Sequence, residues 1–376
     1  MRRHCRNERG AKKGVEAILK PVAASYGGPR IIDAAGPLVL SEPEYCRLSF
    51  ELHFSKLKRM EYVSNWTTLI LTGFDETDQF KYTYFVVCLI IYLLSSFVNA
   101  LLISIIVLHH TLHKPMYIFV CNLCLNGMYG STIIFPKLLI DMLSEDKSIS
   151  YISCILQTFF LYICGFNELS LLTLMAYDRY LSICNPLKYV SIMTKARVRI
   201  LLVVPWFYSF CLVLSCLSPT IGYPICSNTI EDFFCNILTF LKLSCTVLTI
   251  AHVNDTCISI INSTVLIAVI VYSYAQIFRV SYKASGGAKV KALNTCTTHL
   301  LLLFLYFTSG IFALLQSRLQ WINNIDVPIL TSISSLIIPG FLNPVIYGIR
   351  THEIRKTMQN VIRKRKMGFN VKFING

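Results

Sequence analysis

Three ionisable residues, Glu168, Asp178 and Arg179, stand inside one apolar run of the chain, residues 149–183. Charge is costly at membrane depth, so each needs a partner or a task. Glu168 precedes Arg179 by eleven residues, close to three helical turns, which puts both on one helix face. Lipid would accept neither group, so that face points inward. Asn99, Asn126 and Asn343 are polar residues of other apolar runs that could meet Glu168. Two chemistries fit. One is a polar switch cluster with room for a bound cation. The other is a protonated Glu168 satisfying hydrogen bonds in a static core. Asp178 and Arg179 carry the same ambiguity: an adjacent acid and base at a membrane interface is either a snorkelling pair or a latch that opens when helices move. No nucleophile, base and metal group together along the chain, so catalysis is not among the readings. No cofactor and no resident metal are expected.

The elements that position these groups follow from composition. The chain of 376 residues is 54% hydrophobic and only 15% charged, against about 25% charged in soluble domains. Much of it therefore avoids water. Seven apolar segments emerge near 82–108, 117–140, 149–183, 200–223, 250–278, 293–317 and 327–349. Each is long enough to cross a hydrocarbon core of about 30 Å, and helices satisfy their own backbone there. The expected architecture is an all-α membrane protein, a bundle of seven transmembrane helices in the lipid bilayer. Pro339 and Pro344 interrupt the last segment and permit a hinge, with Asn343 placed to satisfy freed backbone groups.

Loop charge orients the bundle. Segments 109–116, 184–199, 279–292 and 350–376 hold 17 Lys and Arg against one acid, Glu353. Segments 61–81, 141–148, 224–249 and 318–326 hold four Lys and Arg against ten Asp and Glu. The positive-inside rule places the first set in the cytoplasm, with the N-terminus outside and the C-terminus inside. The net charge of +15 is thus read as membrane topology, and nucleic acid is not an expected partner. Asn65 heads a glycosylation sequon, Asn65-Trp66-Thr67, on the expected outer side. The domain reading is a basic, disordered extension over 1–59, an extracellular stretch over 60–81, the bundle over 82–349 and a basic cytoplasmic tail over 350–376. The twelve Lys and Arg of 1–59 oppose export, so Met60 is read as a candidate functional start.

Several motifs, in order, resemble those of olfactory receptors within the rhodopsin-like G-protein-coupled receptors. Met175-Ala176-Tyr177-Asp178-Arg179-Tyr180 looks like the family's third-helix motif. Leu112-His113-Lys114-Pro115-Met116-Tyr117 resembles its first cytoplasmic loop, and 291–299, ending Thr298-His299, the start of its sixth helix. Leu342-Asn343-Pro344-Val345-Ile346-Tyr347 resembles its seventh, Ser273-Tyr274 the end of its fifth, and Trp206 its fourth. The wording at Cys121-Asn122-Leu123-Cys124 and Tyr129-Gly130 looks closer to fish receptors than to mammalian ones. The resemblance covers about residues 60–365.

The resemblance implies roles. Arg179 would engage a heterotrimeric G protein when active, with Asp178 holding it when inactive. Tyr180, Tyr274, Asn343, Pro344 and Tyr347 would complete the switch, around a polar core of Asn99 and Glu168. The implied transducer is the stimulatory, olfactory-type Gα subunit, which raises cyclic AMP. The implied disulfides are Cys154–Cys235 and Cys226–Cys245; four cysteines alone would leave three connectivities open. A small-molecule odorant would sit among Leu161, Tyr162, Gly165, Phe166, Ile258, Ser259, Asn262, Gly310 and Leu314, though such residues also make ordinary helix packing. The implied location is the plasma membrane, in cilia of olfactory neurons. Two residues depart from the pattern. Gly127 stands where the family usually has Asp, which removes a carboxylate from the cation site. Phe307 stands near a usual Tyr. The competing readings are a rhodopsin-like receptor for a metabolite and a transporter. Transporters often carry internal repeats and broken helices in matching halves, and neither is evident.

Overall fold

The computed structural model describes residues 67–74, 80–221, 225–244, 249–283, 296–312, 329–361 and 363. Expectations for residues 1–59, for Met60, Asn65, Cys245 and Leu314, and for 291–295 lie outside the described residues. All described residues belong to the unit Asn65–Gly376.

Among the described residues, strand β1 (Thr68–Leu71) comes first and helix α1 (Lys81–Leu108) follows. A single 3-10 turn, His110–Leu112, leads to α2 (Pro115–Leu143). Strand β2 (Ser148–Ser150) precedes α3 (Tyr151–Cys184), which passes into the short α4 (Pro186–Ile192). Then come α5 (Lys195–Leu217), β3 (Thr229–Ile230), α6 (Ile237–Leu243) and α7 (Thr249–Lys283). Helix α8 (Cys296–Phe312) and α9 (Ile329–Arg350) follow, and a last helix, α10, covers 352–361.

Five helices among the described residues are long and apolar enough to cross a membrane: α1, α2, α3, α5 and α7. Their outward faces carry large apolar side chains with no protein cover, such as Phe97, Val203, Phe207 and Ile261. Apolar surface on that scale marks contact with lipid. Helix α3 is the most enclosed of the five, so the residues it carries are the ones held inside the bundle.

Two boundaries differ from the sequence expectation for physical reasons. The fourth apolar helix runs from Lys195 to Leu217, earlier than 200–223. Its start is set by Thr194, whose hydroxyl accepts the Arg197 N–H as an N-cap. Asp141, counted above as an outer-loop acid, lies inside the last turn of α2 and is fully buried. Lys137, one turn earlier, pairs with it and donates a second bond to the Ser148 carbonyl at 2.7 Å.

The three strands form one small sheet in the order β2-β1-β3. Strand β1 pairs antiparallel with β2 (Leu69 opposite Ile149) and parallel with β3 (Leu71 opposite Ile230). Period-2 alternation buries Leu69 and Leu71 and exposes Ile70. The sheet therefore gathers three segments of the acid-rich loop set at one end of the bundle. Gly73 closes the strap: a Cβ there would lie 2.8 Å from the Asp232 backbone carbon. Beside it, Phe74 meets Phe233 edge to face at 5.1 Å. Burial holds the Asp232 carboxyl above its usual range, opposed by Lys242.

Candidate functional site

Cys154, at the start of α3, is joined to Cys235 by a disulfide with a Cα separation of 5.4 Å. Cys226 is also disulfide-bonded, and its expected partner, Cys245, lies outside the described residues. Gln157, one turn below Cys154, accepts the Cys235 N–H at 2.9 Å. The sheet end of α3 is thus tied to the 225–244 segment covalently and through backbone.

The middle of α3 carries the polar core. Glu168 Oε1 accepts from Asn343 Nδ2 at 3.0 Å. The other candidate amides go elsewhere. Asn126 donates to the Cys164 carbonyl at 3.1 Å and accepts from Asn167 at 2.9 Å. Asn99 donates to the carbonyls of Ser95 and Gly340, both at 2.8 Å. Asn99 is therefore a clamp between α1 and α9, not a ligand of Glu168. Gly127 permits that clamp: a Cβ there would come within 3.3 Å of both Cα and O of Gly340. The residue that departs from the family pattern is a point of close helix approach.

The far end of α3 carries the acid–base pair. Asp178 is buried and accepts the Tyr189 hydroxyl of α4 at 2.8 Å. Among the described residues no ion pair joins it to Arg179, and the buried Nε of Arg179 has no hydrogen-bond partner. Burial, and then the Asp178 carboxylate, push the Tyr189 phenol up from its ordinary range, which keeps it a donor. Tyr274 stacks on His299 and meets its Nδ1 at 2.6 Å. Tyr347 is buried with its hydroxyl 4.0 Å from the Met175 sulfur, and Tyr180 lies against Tyr272. Pro344 is buried beside Asn343.

Sequence reasoning missed Tyr189 and His299 as partners. His299 carried a signal, a histidine inside an apolar helix, where it needs a hydrogen bond. Tyr189 sits among ordinary loop residues and carried none.

The expected ligand residues divide. Tyr162, Phe166 and Ile258 pack against one apolar cluster, together with Trp206. A Cβ added at Gly165 or at Gly310 would meet no described residue within 4 Å. Ser259 is half-buried. Leu161 turns into the cluster beneath the sheet. Asn262 turns toward α5, where its Oδ1 accepts the Tyr208 hydroxyl at 2.7 Å. Its Nδ2 is buried and has no partner among the described residues, so the amide keeps a free donor.

The geometry has its counterpart in known proteins. The family model described as "Olfactory receptor" matches residues 87–365. The chain belongs to the olfactory receptor family. Human olfactory receptor 6Y1 is 33% identical over 304 residues, 80% of this chain and 93% of its own length. Mouse olfactory receptor 4B13 is 33% identical over 305 residues, 80% of this chain and 96% of its own. Human olfactory receptor 4N5 is 34% identical over 297 residues, 79% and 95% respectively. As an olfactory receptor the chain is a multi-pass membrane protein of the rhodopsin-like class and not an enzyme.

Proposed function

We propose that this olfactory receptor binds a small-molecule odorant within its helix bundle and activates a stimulatory, olfactory-type G protein, raising cyclic AMP. The observation that carries the reading is Arg179. Its Nε is buried and unpartnered, while the neighbouring Asp178 is taken by Tyr189. A buried donor without a partner costs about 1–3 kcal/mol, so this end of α3 is primed to accept a new contact. A G-protein segment inserted between the helix ends would supply it.

The reading includes seven spans, with α8 and α9 as the sixth and seventh. The N-terminus is outside, and α10 and the basic tail are in the cytoplasm. Two gatherings support that sidedness. Three acid-rich segments meet in the sheet, and two basic segments meet where Lys114 pairs with Glu353 at 2.8 Å. The odorant would lie near Tyr162, Gly165, Phe166, Ile258 and Gly310. An odorant can bias the two packings of the bundle only through its difference in affinity for them. Delivery to sensory cilia completes the proposal.

Arg179→Ala tests it. The variant should reach the cell surface and lose odorant-evoked cyclic AMP. A variant that signals fully would overturn the assigned role.

A further inference from the structure

The turn between α1 and α2 carries a feature that the receptor reading does not use. Three histidines, His109, His110 and His113, fall within five residues. In a 3-10 turn, side chains three residues apart lie almost one above the other. The 3-10 turn His110–Leu112 therefore brings the rings of His110 and His113 together, with centroids 4.8 Å apart and planes nearly perpendicular. Their Nδ1 atoms face each other at 3.3 Å.

The tautomer of His113 follows from its other nitrogen. Its Nε2 lies 3.0 Å from the Val107 carbonyl oxygen. A carbonyl oxygen only accepts, so Nε2 carries the proton. In neutral His113 the Nδ1 then presents a lone pair toward His110. A backbone carbonyl that holds the outer N–H in this way is the usual support of a metal-binding imidazole. His109 bonds the Ile105 carbonyl through its Nδ1 at 3.0 Å and makes no ring contact with the pair.

The separation also fits. Two imidazole nitrogens at about 2.0–2.1 Å from a tetrahedral zinc ion lie about 3.3 Å apart. The two Nδ1 atoms already stand at that distance. Tautomerisation of His110 to its Nε2–H form would leave a lone pair on each Nδ1, and a turn of the exposed rings about their side-chain bonds would aim both at one ion. Both rings are exposed, so water can complete the coordination shell. No group of three or more ligating side chains exists among the described residues, so the protein supplies two ligands. Imidazole pairs suit late first-row ions, with Cu2+ bound more tightly than Zn2+.

We propose that His110 and His113 form a two-histidine site for a divalent late first-row ion, Cu2+ or Zn2+, in the turn between α1 and α2. The ion would pin the turn that leads directly to Lys114 and its contact with Glu353.

The test uses the full-length receptor in lipid nanodiscs, titrated with Cu2+. Electron paramagnetic resonance of the first equivalent should show coordination by two imidazole nitrogens. His110→Ala and His113→Ala should each weaken that binding at least tenfold, and His352→Ala should leave it unchanged. As a second readout, Zn2+ should raise the melting temperature of the wild type and of His352→Ala but not of the two site variants, since a ligand of the folded state stabilises it. Metal-free melting temperatures report whether each variant is folded. Equal Cu2+ binding by wild type and both site variants, or no binding by the wild type at millimolar Cu2+, would overturn the proposal.

Discussion

The two ends of α3 are built on opposite principles. The Cys154 end is locked: a disulfide, a three-stranded sheet and an aromatic contact converge there. At the Arg179 end apolar packing around Met175, Ala176 and Tyr347 carries the helix, Tyr189 bonds Asp178, and among the described residues a buried Arg179 donor has no partner. One helix thus has an anchored end and an adjustable end. A rigid rod pinned at one end converts a small change near its middle into displacement at the other.

This contrast can be broken most severely at the anchor. The Cys154–Cys235 bond closes a loop with a sequence separation of 81. Removing such a bond costs roughly 4 kcal/mol in the chain-entropy account. Cys154→Ser should abolish delivery to the cell surface, measured by flow cytometry of intact cells. Normal delivery would show that the sheet anchors α3 without the disulfide.

A middle-sized effect is expected at the clamp. Gly127→Asp restores the carboxylate that the family usually carries, but its Cβ must fit 3.3 Å from Gly340. Overpacking of this kind costs about 1–3 kcal/mol. The variant should melt several degrees lower than the wild type in detergent, even with sodium present. A rise in melting temperature with sodium would show that α9 can shift to admit a cation site.

At the adjustable end, Tyr189→Phe removes the donor from a buried carboxylate. A hydrogen bond to a charged group contributes about 1.5–3 kcal/mol. Asp178 would then be free to take Arg179, and the odorant concentration–response should shift about tenfold to higher concentration with surface delivery unchanged. An unchanged response would place the switch elsewhere.

The smallest effect belongs to Lys114 and Glu353. The Lys114 hydrogen bond holds the Glu353 carboxyl below its usual range, with burial opposing and Tyr117 assisting. A depressed carboxyl stabilises the fold above its unfolded pKa, about 4.3, and that contribution fades as pH falls through the folded value. Both side chains are about half exposed, so the pair contributes roughly 0–1 kcal/mol. Glu353→Gln should change the melting temperature little at pH 7 and by nothing at pH 3. A loss of several degrees at pH 7 would make α10 a second anchor.

The same contrast explains what the sequence made legible. Apolar length and loop charge depend on solvent alone, so the helices were readable to within a few residues. The shift of α5 depended on one capping hydroxyl, Thr194. The sheet was invisible because β1, β2 and β3 are two to four residues long and draw their pairing from segments far apart in the chain. In the polar core, spacing placed Glu168 and Arg179 on α3 but could not choose among the amides of Asn99, Asn126 and Asn343. That choice depends on which helices approach closely, and Gly127 and Gly340 decide it.

Gly127 has a further consequence. The polar atoms of Asn99 and the Gly340 carbonyl meet only because a side chain is missing beside them. Hydrogen bonds made across such a gap have a short reach and break together when the helices part. Parting α9 from α1 would therefore break the Asn99 clamp at one point, the Gly340 carbonyl.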